Sequence, residues 1–480
     1  MEYNIQDIGD ECTMRKGMKI VLASMLLSIG ISSFSAYAAD GWNLSGNSWV
    51  YLDNDGARVK NEWKRGADNL WRYLNDKGEM ALNTWADDSY YVDGNGIMVT
   101  DSWQKIKEPY SRSEELHWFY FGSSGRVVKD CWKKIAGKNY KFDSDGIMET
   151  GWTEDEMYYL GTDGAMRTGW RYLEPPYDEY DDYDDEYYHQ PSQDGKYWYY
   201  FSGSGKKYTP ATSNSDIDYG VYKIDTKSFC FNTDGQMQHG WVYMNGDPDD
   251  APGNSIKGWR YFADAGIANT TYGAAIPGWL ALVPPEPLQV DMDHPVKWFY
   301  FDRYGVPEIG PEYGEGSTDD FLRVNGKYYL FNEYGNPVSG LQKVKIGKTN
   351  EFTAYYFDQN SMTPVRGKQK IEEGDGNRYD YYFSESSYAG RGYTGVRDGY
   401  LYYMGKKQEA ADGLRYEAIT LPNGKTYVVS TSGRVCKDRR VKDADGNSYE
   451  VDKSGYLVKY NGGSVRGESF TDPMEPYFFD

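Results

Sequence analysis

The side chains in this sequence whose type and spacing could do chemistry are aromatic. Tryptophans stand at Trp42, Trp63, Trp85, Trp103, Trp132, Trp152 and Trp170, roughly one per twenty residues, the signature of a short structural repeat. Each leads to further rings: Trp49-Val50-Tyr51-Leu52, Trp71-Arg72-Tyr73-Leu74, Tyr90-Tyr91, Trp118-Phe119-Tyr120, Tyr140-Lys141-Phe142 and Tyr158-Tyr159. An aromatic face carries negative quadrupole potential and attracts a cation. The same face can stack on a sugar ring or on another aromatic. Catalytic constellations are not visible. His117, His189, His239 and His294 stand alone, without a metal-ligand or nucleophile motif around them. Carboxylates are too numerous for any pair to stand out as a glycosidase dyad. The chain is therefore expected to be no enzyme and to carry no metal or cofactor.

These rings need elements to hold them. Alternation in Trp49-Val50-Tyr51-Leu52 places successive side chains on opposite faces of a strand. Asp55-Gly56, Asn95-Gly96, Asp145-Gly146 and Asp163-Gly164 then mark tight turns, because glycine accepts positive φ without a Cβ clash. A methionine often follows, at Met80, Met98, Met148 and Met166. Each repeat reads as a β-hairpin. A lone hairpin is marginal in water, so neighbours must cover its rings. The predicted fold is all-β, a solenoid or superhelix of stacked β-hairpin repeats. With 48 Tyr, 15 Trp and 18 Phe, burial must come from rings rather than from an aliphatic core. Asp53-Asn54-Asp55-Gly56 and Asp143-Ser144-Asp145-Gly146 hint at calcium loops but lack the remaining ligands, which leaves turn chemistry.

Five segments are expected. Residues 1–38 read as a signal peptide: Arg15, Lys16 and Lys19 precede an apolar run at 20–31, and Ala36-Tyr37-Ala38 fits a cleavage site. Residues 39–170 are regular repeats, 171–310 degenerate repeats with long insertions, 311–460 Tyr-rich repeats without Trp, and 461–480 a tail. Residues 174–188 are acid-rich, as a solvated loop would be. Cys131, Cys230 and Cys436 are too widely spaced for a disulfide framework and are expected to be unpaired. A net charge of -21 opposes nucleic-acid and anionic-lipid binding and suits a cationic partner.

The succession Gly151-Trp152, Met157-Tyr158-Tyr159-Leu160, Asp163-Gly164-Ala165-Met166, Thr168-Gly169-Trp170 resembles the cell-wall-binding repeat of choline-binding proteins, a family related to glucan-binding repeats. The resemblance covers residues 41–170 and extends, with insertions and lost tryptophans, to about residue 460. It implies ligand pockets between consecutive hairpins, built from two rings of one repeat and a third from the next. Carried onto this chain, it implies one cage of Trp42 and Trp49 with Tyr73 and another of Trp63 and Trp71 with Tyr91. A third would use Trp152 and Tyr158 with a ring of the seventh repeat. A quaternary ammonium cannot donate a hydrogen bond, so rings suit it better than a carboxylate does. The implied partner is choline, as the phosphocholine of teichoic acids, with glucan or another surface polysaccharide as the alternative. The implied role is noncatalytic attachment to a bacterial cell wall by a secreted protein that has no membrane segment once the signal is cleaved. An adhesin using residues 171–310, or the targeting module of a wall hydrolase, are the rival readings.

Overall fold

The computed structural model describes residues 41–176, 194–211, 219–246, 251–289, 293–311, 316–386 and 390–478. The signal segment, most of the acid-rich loop, and His189 lie outside them. Among the described residues there is no α-helix, only the short 3-10 turns Glu286–Leu288 and Thr318–Asp320. The chain divides into two compact units at Tyr208 and Thr209.

The first unit is a series of antiparallel hairpins. They pair β1 (Gly41–Ser45) with β2 (Ser48–Leu52), β3 (Glu62–Arg65) with β4 (Trp71–Leu74), β5 (Thr84–Ala86) with β6 (Tyr90–Val92), and β7 (Ser102–Ile106) with β8 (His117–Phe121). β9 (Cys131–Ile135) with β10 (Lys138–Phe142), β11 (Gly151–Trp152) with β12 (Tyr159–Leu160), and β13 (Gly169–Leu173) with β14 (Tyr197–Phe201) complete it. One register rule runs through them. The leading tryptophan lies directly opposite a second-strand residue, as in Trp42↔Tyr51, Trp63↔Tyr73, Trp103↔Tyr120 and Trp152↔Tyr159. Directly opposed residues share a face of a two-stranded sheet, so this face carries the Trp–Tyr pair and the reverse face carries the residues between them.

Turns join one hairpin to the next through the backbone. Asp53 Oδ1 accepts from the N–H groups of Asp55 (3.0 Å) and Ala57 (2.8 Å). Asp93 and Asp143 do the same in later copies. The acids of the Asp-X-Asp-Gly runs therefore serve the turn. Beyond each turn the chain pairs backwards: Met80 N–H donates to Trp49 O (2.7 Å), Met98 to Trp71 O (2.9 Å) and Met148 to Trp118 O (2.9 Å). These methionines pack on the next turn. A Cβ built on Gly164, whose φ is +72°, would sit 2.2 Å from Met148 Sδ, so glycine is required there by torsion and by contact.

The second unit continues with hairpins. They include β15 (Tyr219–Ile224) and β16 (Lys227–Asn232) with the short β17 (Met237–Gln238), then β18 (Gly240–Tyr243) with β19 (Trp259–Phe262) and β20 (Gly278–Leu282) with β21 (Lys297–Phe301). β22 (Leu322–Val324) with β23 (Lys327–Tyr329) and β24 (Gly340–Lys345) with β25 (Phe352–Phe357) follow. Further on the hairpins fuse: β26 (Gly367–Glu372), β27 (Arg378–Phe383), β28 (Gly395–Arg397), β29 (Tyr400–Tyr403) and β30 (Lys406–Lys407) form one sheet in the order β26-β27-β30-β29-β28. The hairpin β31 (Tyr416–Thr420) with β32 (Thr426–Ser430) precedes a four-stranded sheet of β33 (Arg439–Lys442), β34 (Ser448–Val451), β35 (Leu457–Tyr460) and β36 (Gly463–Ser464). The largest fully buried side chains are rings, among them Phe119, Phe121, Phe142, Tyr199, Phe201, Phe299 and Tyr381. Cys230 and Cys436 are buried free thiols, whereas Cys131 is disulfide-bonded, which corrects the expectation for that residue.

Candidate aromatic cages at the hairpin seams

In the hairpins led by Trp63, Trp103 and Trp152, the Trp–Tyr face meets the reverse face of the next hairpin. Trp63 lies 5.1 Å from its own partner Tyr73 and 5.4 Å from Tyr90 of the next hairpin. Trp103 lies 5.1 Å from Tyr120 and 4.9 Å from Tyr140, and Trp152 lies 5.4 Å from Tyr159 and 4.9 Å from Tyr199. The second unit repeats this with Trp279, Tyr300 (5.2 Å) and Tyr329 (4.9 Å). Most of these contacts are edge-on, so the rings meet at an angle around one seam. Trp103, Tyr120 and Tyr140 are all half-buried, whereas each of the other triads has one buried ring, Tyr73, Tyr199 or Tyr329; Trp103 also stacks on Phe142 at 5.6 Å.

Five indole edges are fixed by hydrogen bonds to a later segment of the chain. Trp42 Nε1 donates to Arg65 O (2.8 Å), Trp85 to Lys107 O (2.8 Å), Trp152 to Glu174 O (2.9 Å) and Trp241 to Val283 O (2.9 Å). Trp63 Nε1 instead donates to Asp87 Oδ2 (3.3 Å), whose other oxygen accepts from the Tyr73 hydroxyl (3.1 Å). With the edge tied down, each of these five indoles is fixed in orientation. Burial, aided by the Asp87 hydrogen bond, pushes the Tyr73 phenol up to about 12. Burial also raises Tyr91, Tyr120 and Tyr158, so these seams are lined by neutral phenols.

The residues singled out from the sequence are regrouped. Trp42 shares a face with Trp49, and Trp63 with Trp71, since Leu44 is opposite Trp49 and Arg65 opposite Trp71. Tyr73 does not join Trp42: it looks the other way and completes the Trp63 seam. Likewise Tyr91 pairs with Trp85 at 5.9 Å, leaving Tyr90 to meet Trp63. Tyr158 meets Trp132 at 5.1 Å, while Trp152 turns to the seventh hairpin and Tyr199. The physical reason is the two-residue period of a strand: in Tyr90-Tyr91 one ring must face backwards and the other forwards. Trp71 carries the Arg65 guanidinium 4.7 Å from its ring centroid, and Trp49 is 46 % exposed at the hairpin tip.

Tyr90, Trp103, Tyr120, Tyr140, Trp279, Tyr300 and Tyr329 were assigned to no cage from the sequence. Their signal was present: the ring next to the one opposite the tryptophan belongs to the preceding seam. One histidine is also less isolated than expected. His239 Nδ1 lies 2.7 Å from Asp264, which accepts from the Tyr261 hydroxyl at 2.8 Å. His239 holds the Asp264 carboxyl below its ordinary range.

Among known families, the choline-binding repeat matches residues 39–85. No curated protein matches the chain. The modular autolysin LytC of Streptococcus pneumoniae shares 20% identity, with 62% of this chain and 52% of that chain covered and a TM-score of 0.36. The chain thus spans about half the length of that structure. Choline binding protein F of the same organism shares 23% identity, with 68% and 98% covered and a TM-score of 0.31. The choline-binding domain of CbpL, also from S. pneumoniae, shares 23%, with 44% and 94% covered and a TM-score of 0.29. The sequence match thus marks residues 39–85 as similar to a choline-binding repeat.

Proposed function

We propose that this chain is a secreted, noncatalytic protein that attaches to bacterial cell-wall polymers by holding the quaternary ammonium of teichoic-acid phosphocholine in aromatic seams between hairpins. The observation that carries the reading is the three-ring seam of Trp103, Tyr120 and Tyr140, with the same grouping recurring at Trp63, Tyr73 and Tyr90. Neutral rings set at an angle suit a cation that cannot donate hydrogen bonds. Several weak seams on one chain add by avidity, because each later site is filled at high effective concentration. Titration with choline, following tryptophan fluorescence, tests this. Saturable quenching that Trp103→Ala reduces is the expected result, and no response to choline overturns it.

A second reading rests on different rings. Trp49, Trp118, Trp198 and Trp298 take equivalent places near hairpin tips and are 46, 42, 37 and 51 % exposed. Exposed indoles of this kind suit stacking on pyranose rings, so glucan or another wall polysaccharide is the alternative ligand. A dextran titration of the same sample distinguishes the two: a dextran response without a choline response moves the assignment to carbohydrate.

A further inference from the structure

The Trp152 seam differs from its neighbours in one residue. The residue bridging back to the end of the second strand is Met80 (to Leu74), Met98 (to Val92), Met148 (to Phe142) and Met166 (to Leu160) in four repeats, Arg58 (to Leu52) in the first and Val127 (to Phe121) in the fourth. In the seventh hairpin the same bridge is Phe201↔Lys207. Lysine therefore stands where four of the repeats place a thioether, and it is 5% exposed. Its ammonium lies 5.1 Å from the centroid of Trp152 and 5.9 Å from that of Tyr199. Those are two of the three rings of that seam.

We propose that Lys207 is a built-in ligand, an internal ammonium that occupies the cation seat of Trp152, Tyr159 and Tyr199 and closes this seam to external choline. The claim rests on the choline reading of the other seams and adds a selection among them. A primary ammonium over two ring faces makes the interaction that a methylated ammonium would make there. A tethered group also has the higher effective concentration. Among the described residues no Lys or Arg stands over Trp103, Tyr120 or Tyr140 in this way. The Trp152 seam carries an internal ammonium that the Trp103 seam lacks among the described residues. Lys64 approaches Tyr51 at 5.3 Å and Arg126 approaches Tyr90 at 5.9 Å, but the Lys64 side chain is 25% exposed and Arg126 is exposed, so the inference is confined to the buried Lys207.

The test is choline stoichiometry by equilibrium dialysis on the full chain. Lys207→Met, which supplies the residue type that four other repeats carry at this bridge, is expected to add one site, and Lys207→Arg is expected to add none. Trp152→Ala in the otherwise unchanged protein is expected to leave the number of sites as it was, and this readout holds even if Lys207→Met does not fold. The inference is overturned if folded Lys207→Met gains no site, or if Trp152→Ala loses one. Absence of choline uptake by the unmodified protein would instead count against the choline reading itself, and a site gained by Lys207→Met in that case would still support the claim for Lys207.

Discussion

The indole of Trp103 meets the ring of Tyr140 across the seam between successive hairpins, with centroids 4.9 Å apart and planes at 64°. Neither residue touches the other through its own hairpin: Trp103 is opposite Tyr120 and Tyr140 is opposite Lys133. The seam is therefore a product of stacking. If it holds a quaternary ammonium, each ring contributes about 0.5–2 kcal/mol. Trp103→Ala and Tyr140→Leu should each weaken choline binding at this site by roughly 3- to 30-fold. Trp49→Ala, at an exposed tip, should leave it unchanged. Fluorescence titration of the three variants separates the cases, and equal losses in all three would remove the seam from the account.

Much of this arrangement was legible in the residues. The alternation in Trp71-Arg72-Tyr73-Leu74 and the glycine of each turn specify hairpins with a ringed face, and that face is observed. What the sequence hid was direction. Tyr90 and Tyr91 are adjacent and chemically alike, so only the register Trp85↔Tyr91 shows which of them looks back to Trp63. The role of Lys207 was hidden for a similar reason. It is an unremarkable lysine until the bridge to Phe201 places it at the position where four repeats carry methionine. The fused sheet of β26–β30 was also not foreseen, because the pairing of Tyr381 with Lys406 spans a long connection that periodicity does not encode.

The turn glycines offer a test of packing between repeats. Gly137 (φ +84°) has nothing within 4 Å of a built Cβ, whereas Gly164 (φ +72°) would drive it to 2.2 Å from Met148 Sδ. Gly137→Ala should cost about 1 kcal/mol, the torsional penalty alone. Gly164→Ala should cost more, by roughly 1–3 kcal/mol of overpacking. Adding Met148→Ala should recover part of that excess, giving a non-additive cycle in urea denaturation. Equal costs at both glycines would mean that Met148 yields freely.

Tyr73 gives the fold an alkaline limit. Its phenol is held neutral up to about 12 by burial and by Asp87, against an ordinary value near 10. A pKa raised by folding stabilises the protonated, neutral form. The stability it contributes is fully present below about 10 and is lost as pH rises toward and through 12. Tyr73→Phe should therefore flatten the decline in melting temperature over that window. It should also remove one late-titrating phenol from the tyrosinate absorbance, read as a difference spectrum against the unmodified protein. A transition for Tyr73 near 10 would show that the Asp87 contact does not persist in solution.

The second unit contains a buried ion pair whose loss should be felt strongly. Lys406 Nζ lies 2.8 Å from Glu373 Oε2, with the two side chains 3% and 0% exposed, and the ammonium sits 3.6 Å from the centroid of Tyr379. Glu373 also accepts from the Tyr381 hydroxyl and from the Tyr477 N–H at 2.9 Å, and Lys406 donates to Glu475 O at 3.3 Å, so the pair fastens the tail to the fused sheet. Removing one partner leaves the other charge buried, which typically costs 3–5 kcal/mol, while removing both can be nearly neutral. Lys406→Met should therefore destabilise the second unit by roughly 3–5 kcal/mol, and Lys406→Met with Glu373→Met should recover most of that loss. The exposed pair Lys368–Asp398, at 3.4 Å, serves as the control: Lys368→Met should change stability by about 0–1 kcal/mol. Denaturant unfolding of the four proteins decides it, because a charge that relaxes to solvent once its partner is gone would make Lys406→Met as mild as Lys368→Met.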